Sequence, residues 1–403
     1  MILKTKRLYL AFGCAVLAAA PAAAQIAAPR EATKIDFGTL SLYPSLQIVD
    51  MGLDDNVFND PFTPQSDYTL TVSSKALGRL LLGSNELLFQ VADDYVWFHE
   101  ITSERSNNIQ YAGRFNMSAS RFKPYVGGEY VRTRVRRSPE IDARARRVDR
   151  SAVAGVSVEL SPRTALTASA RLEDVTYDEG EEFRNVQLDD ALNRTGRLAD
   201  AGVRYAVTPL TTLSVNAAYE EQKFNESHVR DLKRYTVGPT LEFAPEAAIR
   251  GRVVTGFELF KPDDPGLQQQ TGLAYLAQVN WSLYGRTTFD LVSGRNITYS
   301  YQDSEPYYLL TNVKLLITQP LPGWFEFYAG YDWQHMAYRW KRGFADESDR
   351  VDKLTAATAG AGVRIGRHFN MRVGVEKTQR RSIEDPFQNF NRTRILSTVT
   401  VIS

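Results

Sequence analysis

Apolar and polar residues take turns along most of this chain. Ile109, Tyr111, Gly113, Phe115 and Met117 fall on one face of an extended segment, with Gln110, Ala112, Arg114, Asn116 and Ser118 on the other. The same period of two sets Leu213, Val215, Ala217 and Tyr219 against Thr212, Ser214, Asn216 and Glu220. It sets Tyr235, Val237, Leu241 and Phe243 against Arg234, Thr236, Thr240 and Glu242. It recurs with Phe325, Phe327, Ala329, Tyr331 and Trp333 against Glu326, Gly330, Asp332 and Gln334. Successive side chains of a strand point to opposite faces, so each segment is a strand with one apolar and one polar side. Alternation sustained over about ten residues is the length a tilted strand needs to cross a bilayer.

The connections carry the second signal. Short turns fall at 83–86, 120–123, 161–164, 208–211, 244–247, 282–285, 319–323 and 366–369. Longer polar stretches fall between them, at 54–67, 103–108, 138–147, 178–195, 261–269, 341–350 and 381–391. Short and long connections alternate, a rhythm expected of a barrel with short periplasmic turns and long external loops. The fold class predicted is therefore all-β: a single transmembrane antiparallel β-barrel of about 18 strands, the first near 40–53 and the last near 393–402. An even number puts both termini in the periplasm. Backbone groups in lipid must all be satisfied, so the sheet is expected to close. Tyr125, Trp281, Tyr284, Trp324 and Phe325 by the short turns, and Tyr95, Trp97, Tyr177, Tyr219, Phe260, Tyr299, Trp333, Tyr338 and Trp340 near the long loops, read as two aromatic girdles. Two residues resist the pattern. Pro239 sits mid-strand, where it loses a ladder bond, and Asp93 shares a face with Phe89 and Val91.

At 403 residues the chain is long for one ordinary soluble core, a limit that a single cylinder of sheet escapes. Lys4, Lys6 and Arg7, then an apolar run at 8–20, then Ala22, Ala23 and Ala24 read as a signal peptide over 1–24. A short periplasmic lead-in follows at 25–38 and the barrel at 39–403. Taking the three leader cations from the formal charge of +1 leaves −2, which argues against a nucleic-acid binder. The single cysteine, Cys14, lies in the leader, so disulfide frameworks and cysteine metal sites are excluded after cleavage.

Eighteen strands would enclose an aqueous channel unless it is plugged. Alternation assigns Thr71, Ser73, Lys75, Arg79, Gln90, Asp94, Arg114, Arg171, Glu173, Arg204, Arg252, Glu258, Lys314 and Asp332 to the lumen. Arg132, Arg134, Arg136, Arg137, Arg144, Arg146, Arg147 and Arg150 form a basic cluster at the top of strand five and its loop; eight arginines against Glu140, Asp142 and Asp149 leave a net +5. It reads either as a solvated loop or as a site for lipopolysaccharide phosphates or an acidic polysaccharide. An acidic loop beginning Asp178, Glu179, Glu181 and Glu182 is expected to fold inward against the arginines. Asp54, Asp55 and Asn56 read as Asx-turn capping rather than a calcium loop, lacking its spaced acidic ligands. His99, His228, His335 and His368 make no zinc spacing and no nucleophile-elbow context. No cofactor is called for, and the reading is a non-enzymatic channel.

The chain resembles the outer-membrane family described as putative β-barrel porin type 2. The resemblance rests on Leu42, Tyr43, Pro44, Ser45 and Leu46 running into Asp54, Asp55, Asn56, Val57 and Phe58; on 188–195; on 205–211 (YAVTPLT); on Val237, Gly238 and Pro239; and on the closing Asn391, Arg392, Thr393 and Arg394. It extends over roughly 39–403. Barrels of this class commonly end on an aromatic residue, whereas this chain ends on Ser403. The resemblance implies the outer-membrane exit of an exopolysaccharide or capsule export system. It implies as partners outer-membrane lipid and lipopolysaccharide, the barrel-assembly machinery, a periplasmic polysaccharide-export protein and the polysaccharide itself. A general diffusion porin for small solutes, and a structural or surface-binding barrel with a blocked lumen, are the alternatives.

Overall fold

The computed structural model describes residues 34–341, 350–365 and 369–401. The signal peptide, most of the lead-in, most of the connection at 341–350, His368 and Ser403 lie outside the described residues. The wall is made of β1 (Leu40–Asp54), β2 (Asp67–Leu82), β3 (Asn85–Phe98), β4 (Ser106–Asn116), β5 (Phe122–Thr133), β6 (Arg147–Ser161), β7 (Thr164–Tyr177), β8 (Arg194–Thr208) and β9 (Thr211–Phe224). It continues with β10 (Leu232–Phe243), β11 (Ile249–Pro262), β12 (Gln270–Leu283), β13 (Thr287–Tyr299), β14 (Tyr307–Pro320), β15 (Phe325–Arg339), β16 (Val351–Ile365), β17 (Phe369–Ser382) and β18 (Phe390–Val401). Each strand pairs antiparallel with the next, and β18 returns to β1 from Leu46↔Val401 to Asp54↔Arg394. The barrel is thus closed with eighteen strands, leaving no edge in the wall. A short strand, Ile35–Phe37, folds back onto β1.

Short connections of two to five residues gather at one rim and longer ones of seven to sixteen at the other. Leu40 and Val401, where the described wall starts and ends, lie at the short-turn rim. The outer face carries exposed apolar side chains, among them Leu172, Val215, Val237, Leu273 and Val373; Phe257 is 77% exposed. A large aromatic so open to its surroundings fits a wall solvated by lipid rather than by water.

Local chemistry explains the irregular positions. Pro239 pairs with Val215 of β9, but the β10–β11 ladder lapses between Val237↔Phe257 and Thr240↔Val254, so the missing N–H costs little there. Gly238 permits that close approach: a Cβ would lie 2.0 Å from the Thr255 carbonyl oxygen. In β1, Asp50 adopts φ 52° and the register shifts around it. This bulge switches the inward face from Ser45 and Gln47 below it to Gly52 and Asp54 above it. Asp93 stays in register, opposite Ile109 and Ser74, on the outer face between Val91 and Tyr95.

The girdles are only partly as expected. Tyr284, Trp324 and Phe325 are exposed at the short-turn rim, and Tyr95 at the other. Tyr125 instead points inward, under the Arg114 guanidinium at 3.8 Å. Tyr177, Phe260, Tyr299 and Tyr338 are buried inside the mouth. Their position near the long loops was legible; that those loops fold into the lumen and bury them was not.

Candidate functional site: the lumen and its mouth

Three connections leave the long-loop rim and fill the mouth. The first is the β13–β14 hairpin. The β12–β13 ladder stops at Tyr275↔Arg295, although β12 still pairs with β11 up to Gln270 and β13 with β14 up to Tyr307. Above that split the hairpin leans across the lumen, and Ile297, Tyr299, Tyr301 and Tyr307 pack on Phe224, Leu232 and Phe260. The Phe260 and Tyr307 rings meet edge to face at 4.7 Å. The second is the 178–193 connection, whose one-turn helix α1 (Leu188–Leu192) inserts Leu188 and Leu192 fully into the same cluster. The third is the 134–146 loop, which adds Ile141 and Ala145. Apolar contacts inside the channel give these loops a reason to stay in rather than extend into water.

Buried ion pairs fasten the arrangement. Arg350 bonds Glu305 and Asp352, each at 2.8 Å, and stacks over Tyr338 at 4.0 Å. Arg380 bonds Asp352 at 2.6 Å and donates to the carbonyl of Pro139 at 2.8 Å. Ser300 Oγ donates to Glu140 Oε1 at 2.5 Å, joining the 134–146 loop to the hairpin. Burial raises the Glu140 carboxyl to about 7, although Ser300, Arg350 and Arg380 pull it down. Burial likewise raises Glu305 to about 7, against the pull of Arg350.

The basic cluster is divided. Arg134 and Arg144 pair with Glu104 at 3.0 and 3.3 Å, and Arg136 pairs with Asp142 at 2.5 Å and reaches the Val57 carbonyl. Arg137 and Arg147 share Asp149 at 3.0 and 3.3 Å, and Arg137 also reaches the Tyr299 hydroxyl. Burial, reinforced by Arg136, lowers the Arg144 guanidinium to about 10. Arg132, Arg146 and Arg150 are exposed. Arg150 pairs with Asp174 on the outer face at 2.9 Å. Of the acidic loop, among the described residues, Glu181 forms the ion pair with the cluster, through Arg146 at 3.2 Å, while Glu179 and Glu182 are exposed. What draws the acidic loop inward is the apolar α1 and not its carboxylates.

Below the mouth, the register sets Lys75, Arg79, Asp94, Arg114, Arg171, Glu173, Arg204, Arg252, Glu258 and Asp332 on the face opposite the exposed apolar positions. Most face a partner of opposite sign or a neutral acceptor. Arg79 pairs with Glu86 at 2.5 Å, Arg171 with Glu173 at 3.0 Å, Arg204 with Glu242 at 3.9 Å, and Lys314 with Asp332 at 4.0 Å. Glu258 meets Arg234 at 3.4 Å, Arg252 donates to Gln278, Arg114 donates to Asn116, and Asp94 accepts from Ser73. Lys75 lies beside Asp94. The wall is therefore polar and mixed in sign. Sequence reasoning missed Glu305, Arg350, Asp352 and Arg380, as well as Glu326, which bonds both Arg364 and Arg372. Alternation alone would have put Asp352 and Arg380 on the lumen face.

Asp54 and Asp55 are occupied within the chain: Asp54 accepts from Asn56 N–H and from Arg392, and Asp55 accepts from Thr393 N–H. Among the described residues no group of histidine, cysteine and carboxylate side chains is placed to hold a metal ion, and no helix is long and apolar enough to cross a membrane.

A closed eighteen-strand wall, apolar outside and polar inside, with loops turned into one mouth, defines a porin-like β-barrel channel of the outer membrane. The chain belongs to the family described as "Putative beta-barrel porin 2", whose model matches residues 28–402. None of the curated proteins matches it. Among solved structures it is similar to OccK2 (OpdF) of Pseudomonas aeruginosa, with 13% identity over 90% of this chain and 98% of that one and a TM-score of 0.49. A BenF-like porin from Pseudomonas fluorescens Pf-5 gives 13% identity over 89% and 98%, with a TM-score of 0.49. A structure described as a bacterial polysaccharide outer membrane secretin gives 10% identity over 91% and 100%, with a TM-score of 0.38. Likeness at this level carries no information on cargo.

Proposed function

We propose that the chain is a non-enzymatic channel for small polar solutes, with its short-turn rim and both termini in the periplasm and its long loops outside. The observation that carries this reading is the mixed-sign polar lumen beneath a mouth narrowed by loops that Arg380, Arg350 and Glu140 hold in place. A wall of mixed sign, most of whose charges already have a partner, favours passage of many polar solutes over selection of one ion. A polymer conduit would require the whole mouth assembly to withdraw, whereas small solutes need only local opening. The test is conductance and liposome swelling with the purified chain. Uptake of small sugars at rates that fall with sugar size supports the reading; a barrel that passes neither ions nor sugars is a blocked one, and the reading fails.

The export role implied by the family resemblance stands as a second reading. Tyr301, Tyr307, Tyr308 and Tyr338 crowd the mouth, and rings so placed would offer stacking faces to sugars once the loops withdraw. Deleting the gene and measuring secreted polysaccharide separates the two: unchanged secretion removes the export role and, with it, the periplasmic export partner.

A further inference from the structure

Several charges on the outer face near the long-loop rim are paired. Arg150 meets Asp174 at 2.9 Å, Lys223 meets Asp231 at 3.3 Å, and Lys233 meets Asp263 at 3.5 Å. The β15–β17 sector gathers cations side by side on adjacent strands. Lys353 of β16 stands directly opposite Arg381 of β17, and His335 of β15 directly opposite Lys353. Lys377 lies on the same face of β17, one outward position removed from Arg381 by Gln379. Lys353, Lys377 and Arg381 are all exposed. Arg381 donates only to the Arg380 carbonyl and the Asn391 side chain, and no described carboxylate forms an ion pair with Lys353, Lys377 or Arg381. Like charges directly opposite one another on a sheet repel, so this arrangement is destabilising as it stands and an anion between them would relieve it.

The height of the patch says which anion. The outward face of β15 is apolar or aromatic from Phe325 to Trp333, about the nine residues that cross a bilayer's hydrocarbon. On β17 Met371, Val373 and Val375 are exposed and apolar, and the cations follow immediately above. Trp333 stacks on His335 at that boundary. The patch therefore lies at headgroup level. We propose that Lys353, Arg381, Lys377 and His335 form a binding site for a phosphate group of lipopolysaccharide in the outer leaflet. Two cations on adjacent strands suit a phosphate, which accepts several charge-assisted bonds at once. This site is separate from the arginines of the mouth, and it rests on the long loops facing outward, as proposed above.

The test uses the full chain folded in detergent micelles, with bisphosphorylated lipid A and the same lipid A dephosphorylated as probes, read by native mass spectrometry. Wild type is expected to retain the bisphosphorylated form. Lys353→Gln with Arg381→Gln should weaken that retention about tenfold, the loss expected of two solvent-exposed ion pairs. Arg150→Gln with Asp174→Asn, at the same rim, should leave it unchanged. Equal retention of the dephosphorylated lipid, or an unaffected Lys353/Arg381 double variant, overturns the proposal. If the double variant does not fold, Lys353→Gln alone and the charge-keeping Lys353→Arg decide: loss in the first and retention in the second are required. Orientation is read separately from Glu384→Cys, an exposed position of the 383–389 connection, with an impermeant maleimide on intact cells. Labelling only after the outer membrane is broken overturns the topology while leaving the lipid A result on its own footing.

Discussion

The guanidinium of Arg380, on the inner face of β17, donates to the carbonyl of Pro139 at 2.8 Å and so fastens the wall to a loop 241 residues earlier in the chain. The same side chain holds Asp352, which in turn holds Arg350. Arg380→Ala is expected to free the 134–146 loop, with a local loss of about 3 kcal/mol, since removing one member of a buried pair leaves charge and carbonyls unsatisfied. The strand ladders are untouched, so the barrel should still fold. Single-channel recordings check this: conductance should rise, and an unchanged value would show that the loop does not restrict passage.

Glu140 is expected to make the packing of the mouth loops depend on pH. It faces Arg350, Arg380, Asp352, Ser300, Tyr301, Tyr308 and Tyr338. Its carboxyl is raised from 4.5 to about 7 in the closed state, so the closed state binds the proton more tightly than the open one. The stability it lends is complete below 4.5 and is lost as pH rises through about 7. Glu305 acts in the same direction. Open probability should therefore increase between pH 5 and 8, and Glu140→Gln should flatten part of that rise. A channel insensitive to pH over this window would contradict the placement of Glu140.

The bulge at Asp50 re-aims Asp54 toward Arg392. At φ 52° a β-branched residue is strained, so Asp50→Val should cost about 1–2 kcal/mol while Asp50→Gly is tolerated. Urea unfolding from lipid vesicles measures both. Equal stability of the two variants would mean that the bulge relaxes at no cost.

Because most lumen charges face an opposite charge or a neutral acceptor, ion selectivity should be weak. Reversal potentials in a salt gradient should lie near zero for the wild type. Lys75→Glu and Arg252→Glu, which add acid beside Asp94 and Glu242, should shift them toward cations. A strongly selective wild type would point to a charge ring at the mouth instead.

The sequence by itself determined the wall. Alternation such as that of Phe325 to Trp333 against Glu326 to Gln334 is a local property of an extended chain between lipid and water, and the sorted connections set strand number and closure. It also placed Arg79, Asp94 and Asp332 on one face, because a period of two needs no partner to be read. It could not give the aim of Tyr177, Phe260, Tyr299 and Tyr338, since a residue near a rim can face outward or into the mouth, and the choice depends on distant loops. The tertiary structure alone decided that β13 and β14 leave the ladder above Tyr275, that Leu188 and Leu192 enter the lumen, and that Arg380 meets Pro139 and Asp352. These contacts join segments far apart in the chain, and no local periodicity encodes which of many polar side chains will be brought within bonding distance.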